Sequence, residues 1–175
     1  MGKVDGTPTL RFFRTGKRGK KVKVEKIDYN GERKAKSMYK AAVREMPTFA
    51  ESIIGEASFD TFLSKASKYG LPIAVVLSTK SSLSPLIKSM SAQYRRRLLI
   101  GVVNRRLSKN IGVIKRLEEN ENAIPAEGDV LYILSAAATI KATFSPQKTF
   151  KYHGLNGFLS KHALKAPYNI IKQEL

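Results

Sequence analysis

Apolar positions in the rear two-thirds of the chain recur with two different periods, and the alternation between the two sets out an order of elements. Phe59, Phe62, Leu63 and Ala66 stand at helical spacing behind Ser58, a candidate cap, with Gly70 just past their end. Residues 71–77 are then continuously apolar, as in a strand covered on both faces. Ser84 and Pro85 hold the cap and first helical positions of a segment whose Leu86, Ile87, Met90 and Tyr94 face inward. A short strand at 52–54 opens this series, and a second buried strand follows at 98–103. After it come a short helix at 110–117, an exposed loop at 118–122, a closing hairpin of 130–134 with 140–144, and a last helix at 156–164. Strand, helix, strand, helix, strand, helix, strand, strand, helix predicts an α/β fold: a central mixed sheet flanked by helices.

The front of the chain is patterned differently. Val4, Asp5, Gly6, Thr7, Pro8, Thr9 and Leu10 form a turn feeding an apolar strand through Phe13, and a loop of basic residues and glycines spans 15–21. Val22, Val24 and Ile27 alternate as a second strand, which makes a hairpin. Asn30 and Gly31 supply turn chemistry before a helix over 33–44, where Ala35, Met38, Tyr39 and Ala42 recur at i, i+3, i+4 and i+7. Pro47 and Thr48 break it. Two strands and a helix bury too little apolar surface to stand alone, so this unit reads as half of a larger one. The chain thus divides into residues 1–47, residues 48–166 and a tail, 167–175.

Composition narrows the chemistry. The 175 residues are 42% apolar, enough for a real core, and they include no cysteine. Thiolate is the nucleophile of disulfide exchange and a common zinc ligand, so neither chemistry is open to this chain. No acidic or histidine cluster has metal-ligand spacing, and no metal or cofactor is expected. The longest apolar runs are strand-sized, against the roughly 18 to 20 residues of a membrane-spanning helix. Ser81, Ser82 and Ser84 would need a base and an orienting acid to act as nucleophiles. The two histidines, His153 and His162, lie in the closing segment, and His162 reads as a packing residue. Caps and turns account for the serines, and no catalytic residue is assigned. Tyr69, Phe144, Phe150, Tyr152 and Phe158 read as core aromatics; any that surface together would mark a peptide groove.

Charge adds a second line of inference. The formal net charge is +18, from 32 Lys and Arg against 14 Asp and Glu. The cations cluster at Arg14, Lys17, Arg18, Lys20, Lys21, Lys23 and Lys26, and again at Arg95, Arg96, Arg97, Arg105 and Arg106. Such clusters attract acidic proteins, anionic lipid or nucleic acid. No aromatic stacking motif, zinc module or recognition helix accompanies them, so a solvated or substrate-attracting surface is the leading account of them.

The two ends of the chain disagree about its address. The opening residues lack the order of a secretory signal, whereas Lys172, Gln173, Glu174 and Leu175 form a variant of the Lys-Asp-Glu-Leu retrieval signal of the endoplasmic reticulum. The pair is reconciled by a chain that has lost its front.

The hairpin, Tyr, Gly and closing helix that end both units resemble the way a thioredoxin fold finishes. The run from Thr7, Pro8 and Thr9 to Tyr29, Gly31 and Arg33 resembles the rear half of one thioredoxin-like domain, and residues 48–166 resemble a complete one. With the tail, the chain is similar to fungal members of the protein disulfide isomerase family of the endoplasmic reticulum, truncated at the front. That resemblance implies that Pro8 is a cis proline lying, with Thr7, against an extended substrate. It also implies that Ser81, Ser82, Leu83 and Ser84 occupy the place of the redox Cys-x-x-C pair and leave it inert. Ile124 and Pro125 fall near the place of a second cis proline, but Ala126, Glu127 and Gly128 depart from the family pattern. The expected function is binding of unfolded or partner polypeptide in oxidative folding, in the lumen of the endoplasmic reticulum, with a retrieval receptor reading the tail. A basic nucleic-acid or ribosome-associated protein on a thioredoxin-like scaffold is the alternative. A remnant whose open sheet edges promote association is a third reading.

Overall fold

The structure, a computed structural model, describes residues 9–18, 21–118, 128–144 and 150–167. Thr7, Pro8, Ile124, Pro125 and the residues of the 172–175 tail lie outside them. Two compact units make up the chain, residues 1–47 and 48–175.

In the first unit, β1 (Arg11–Arg18) and β2 (Lys21–Asp28) pair antiparallel, from Arg11 opposite Asp28 to Arg18 opposite Lys21. Residues 15–18 and Lys21, expected in a loop, are therefore strand. The ladder rests on main-chain bonds, which Lys and Arg supply as well as apolar residues do, so a basic stretch is no bar to a strand. Helix α1 (Ala35–Glu45) follows. Tyr29 ties the junction: its N–H donates to Leu10 O at 2.9 Å, its hydroxyl to Glu32 O at 2.6 Å, and its ring meets Phe12 edge-on at 6.1 Å. The helix buries Ala41, with Met38 half-buried, while Ala35, Tyr39 and Ala42 are exposed. The apolar stripe read from spacing is thus rotated, because two strands offer less cover than the stripe is wide.

The second unit runs β3 (Glu51–Ile53), α2 (Gly55–Tyr69), β4 (Ile73–Ser78), α3 (Pro85–Gln93), β5 (Leu99–Asn104), a 3₁₀ turn (Ser108–Asn110), α4 (Ile111–Glu118), β6 (Val130–Leu134), β7 (Ile140–Phe144) and α5 (Tyr152–His162). The sheet order is β3-β5-β4-β6-β7. Strands β3, β5 and β4 are parallel, β6 runs antiparallel to β4, and β7 antiparallel to β6. This is the expected α/β architecture with a central mixed sheet.

Every side chain of β4 is buried, and alternation sends them to opposite faces. Ile73, Val75 and Leu77 join Phe59, Phe62, Leu63 and Ala66 of α2 with Val113 and Leu117 of α4. Ala74 and Val76 join Ile87 and Met90 of α3 with Leu155 and Leu159 of α5. Each large side chain so buried contributes about 1.5–3 kcal/mol, which is why an uninterrupted apolar run marks the central strand.

Two helix starts depart from the sequence reading. Helix α2 begins at Gly55, ahead of Ser58, because Asn110 supplies its cap from 55 residues away: Gly55 N–H donates to Asn110 Oδ1 at 2.8 Å. Gly55 takes φ +77°, a left-handed conformation that suits glycine, as the chain turns off β3. Helix α5 begins at Tyr152 with no side-chain cap, so nothing local announces it. Its placement follows from Phe144 of β7, which meets the rings of Phe150 at 5.7 Å and Phe158 at 5.3 Å.

Candidate functional site

Because β3, β4 and β5 are parallel and β6 opposes them, the ends of the first three and the start of β6 share one end of the sheet. In open α/β sheets, ligands bind outside these carboxyl ends. Helices α2 and α3 leave β3 and β4 to opposite faces, which opens that end of the sheet.

Strand β4 ends in Ser78, the one hydroxyl in its apolar run. Ser78 Oγ donates to Asp129 Oδ1 at 2.6 Å and accepts the Lys80 N–H at 3.1 Å. Lys80 Nζ lies 2.7 Å from Asp129 Oδ2, closing a three-residue net over the end of the strand. The Ser78 carbonyl accepts the Arg105 N–H from the end of β5 at 2.9 Å. Asn104 shapes the β5 exit: its Oδ1 accepts the Arg106 N–H at 2.9 Å, and its carbonyl accepts from Asn110 Nδ2 at 2.9 Å.

The turn between β4 and α3 carries the four residues singled out in the sequence. Ser81 and Ser82 are exposed, and Leu83 packs against the core beneath α3. Ser84 caps α3, its Oγ accepting the Ile87 N–H at 3.3 Å ahead of Pro85. The cap spends the Ser84 oxygen on the helix N-terminus. His162 is half-buried, its ring 5.0 Å from Phe158, as a packing residue would be. Among the described residues, no group of three or more His, Asp and Glu gathers to hold a metal ion. No described helix is long and apolar enough to cross a membrane.

Apolar side chains surface at this same end. Ile54 at the end of β3 is 51% exposed, and Leu107 and Ile111, flanking the 3₁₀ turn, are 41% and 52% exposed. The Gly55 to Asn110 bond sets Ile54 beside that turn. Arg106 and Lys109 are exposed next to them, so the patch is apolar with a cationic border.

Several expected features go elsewhere. Phe144 is core, with Phe150, Phe158 and Tyr69 half-buried, whereas Tyr152 is 43% exposed and donates to Gln93 Oε1 at 3.0 Å. The arginine cluster is divided. Arg97 Nε donates to Leu164 O at 2.7 Å, and Arg95 lies over the Phe49 ring at 4.2 Å. Ser78, Asn104, Asn110 and Asp129 were not singled out by sequence. Only Ser78, a lone polar residue ending an apolar run, carried a local signal.

Strand order, strand directions and helices on both sheet faces define a thioredoxin-like fold. The structure is similar to the crystal structure of ERdj5 form II, with a TM-score of 0.55 and 14% identity, over 89% of this chain and 20% of that one. It is also similar to oxidized thioredoxin O1 from Arabidopsis thaliana, with a TM-score of 0.47 and 17% identity, over 70% of this chain and 100% of that one. The chain therefore spans about one fifth of the ERdj5 chain it matches. No protein-family model and no curated protein matches the sequence.

Proposed function

We propose that this protein binds polypeptide as a redox-inert thioredoxin-like module of oxidative folding in the endoplasmic reticulum, using the carboxyl end of the second unit's sheet. One observation carries the reading. The turn from β4 to α3 holds serines instead of thiols, Ser78 and Ser84 are engaged in the Lys80 and Asp129 net and in the helix cap, and Ile54, Leu107 and Ile111 surface at the same end. Apolar side chains exposed together at such an end of a sheet favour binding of apolar polypeptide. The retrieval-like ending of the sequence and the resemblance to the disulfide isomerase family support the lumenal setting, with a retrieval receptor as second partner. By the same resemblance, Thr7 and Pro8 add a second contact for extended chain.

The test is titration of the full chain with fluorescent, uncharged apolar peptides. Binding is expected to fall at least tenfold in the double variant Ile54→Asp, Ile111→Asp, whose positions are exposed and spare the fold. It is expected to change less than twofold between 50 and 200 mM salt. A basic nucleic-acid site would instead lose about 10³ in affinity for single-stranded RNA over that range. No peptide binding, or binding indifferent to the double variant, overturns the proposal. Removing residues 172–175 from a lumen-targeted chain should release it to the medium; retention would remove the tail from the argument.

A further inference from the structure

The hairpin β1–β2 followed by α1 repeats the order β6–β7–α5, and the second unit shows what such a hairpin packs against. There the outer edge of β6 is taken by β4, antiparallel, from Leu77 opposite Val130 to Ile73 opposite Leu134. On the α5 side, Leu131 and Ile133 pack with Leu155 and Leu159. On the other side, Val130, Tyr132 and Leu134 pack with Phe59 and Phe62.

In the first unit the helix side is closed less completely, with half-buried Phe12, Ile27 and Tyr29 lining an open concavity with Ser37 and Ala41. On the opposite face Phe13 is 63% exposed and Val24 53%. The edge is also defined by the register. Tyr29 N–H bonds to Leu10 O, so Phe12 and Ile27, two residues further along each strand, are again a bonded pair, and Phe13 and Thr15 turn their N–H and C=O groups outward. Among the described residues this sheet has two strands. Charge sets the chemistry of an occupant: β1 carries four basic residues and β2 three, against Glu25 and Asp28.

We propose that the outer edge of β1 is a docking site for an extended segment of another polypeptide, apolar at its centre and acidic at its flanks. The segment adds antiparallel to β1 as β4 adds to β6. Main-chain bonds to Phe13 and Thr15 supply affinity, alternate side chains cover Phe13 and Val24, and the flanking acids meet the basic strands. This site belongs to the first unit and does not depend on the binding end of the second.

The experiment titrates the full chain with a labelled peptide of the β4 sequence, Ile73–Ser78, flanked by two aspartates on each side, and with the same peptide flanked by lysines. The aspartate form is expected to bind saturably and the lysine form at least tenfold more weakly. Phe13→Pro removes an outward N–H that the hairpin does not use, as edge strands tolerate, and should weaken binding at least tenfold. Lys26→Pro, the same change on the outer edge of β2, should alter it less than twofold. If Phe13→Pro unfolds the hairpin, Phe13→Asp, on the solvent face, provides the same reading. Equal binding of the two peptides, absence of binding, or equal loss in the two proline variants overturns the proposal. A dimeric chain that Phe13→Pro makes monomeric also overturns it, with a second copy as the occupant.

Discussion

Ser78 and Asp129 stand 51 positions apart in the chain and share a 2.6 Å hydrogen bond at the end of the central strand. The bond joins the strand that leads into the serine turn to the residue that opens β6, and the Lys80 ammonium closes it from outside.

Asp129→Ala leaves the largely buried Ser78 hydroxyl without its acceptor. It should cost about 1–3 kcal/mol in urea unfolding, while Asp129→Asn, which keeps an acceptor oxygen, should cost less than half as much. Equal losses would show that charge, through Lys80, is what matters there.

Asn110 is fully buried and bonds both Gly55 N–H and the Asn104 carbonyl. Asn110→Ala leaves a helix N-terminus and a strand end unmatched, and should cost about 2 kcal/mol or more. Amide hydrogen exchange should locate the loss in the first turn of α2.

Gly101 in β5 packs where a Cβ would lie 2.5 Å from Ile53 Cδ1 and 2.8 Å from Phe62 Cζ. Gly101→Ala overfills this layer and should destabilise by about 1–3 kcal/mol, read as a lowered thermal midpoint. Phe62→Leu in the same chain makes room and should recover part of the loss.

Tyr94 is buried at 1% exposure, with its hydroxyl 2.7 Å from Asn156 Oδ1. Burial, partly offset by a hydrogen bond from Ser160, pushes its ionisation above the ordinary tyrosine range. A folded value above the unfolded one contributes stability that is complete below about pH 10 and is lost as pH rises through the folded value. Wild type should therefore lose stability above about pH 10 more steeply than Tyr94→Phe. The variant should start about 1 kcal/mol lower at pH 7 for want of the Asn156 bond. Parallel pH profiles of the urea midpoint would refute this.

Much of the second unit was legible because its signals are local or periodic. The faces of α2 and α3, the Ser84 and Pro85 start of α3, the Gly70 end of α2 and the closing hairpin each rest on residues within a few positions of one another. The boundaries that shifted rest on distant partners: α2 starts where Asn110 meets it, and α5 where Phe144 receives Phe150 and Phe158. In the first unit, Lys and Arg hid the continuation of both strands, since main-chain pairing leaves no trace in the apolar pattern.

Sequence alone determined the α/β order, the all-buried central strand, the absence of thiol chemistry and the serine turn before α3, because each is written in neighbouring residues or in composition. Tertiary structure alone decided that Ser78, Lys80 and Asp129 meet at one end of the sheet, that Ile54, Leu107 and Ile111 surface beside them, and that Phe13 turns its N–H and C=O away from β2. Those relations arise when parallel strands bring separate turns to one end and a hairpin finds cover on a single face. A chain read in order contains no distance across a sheet.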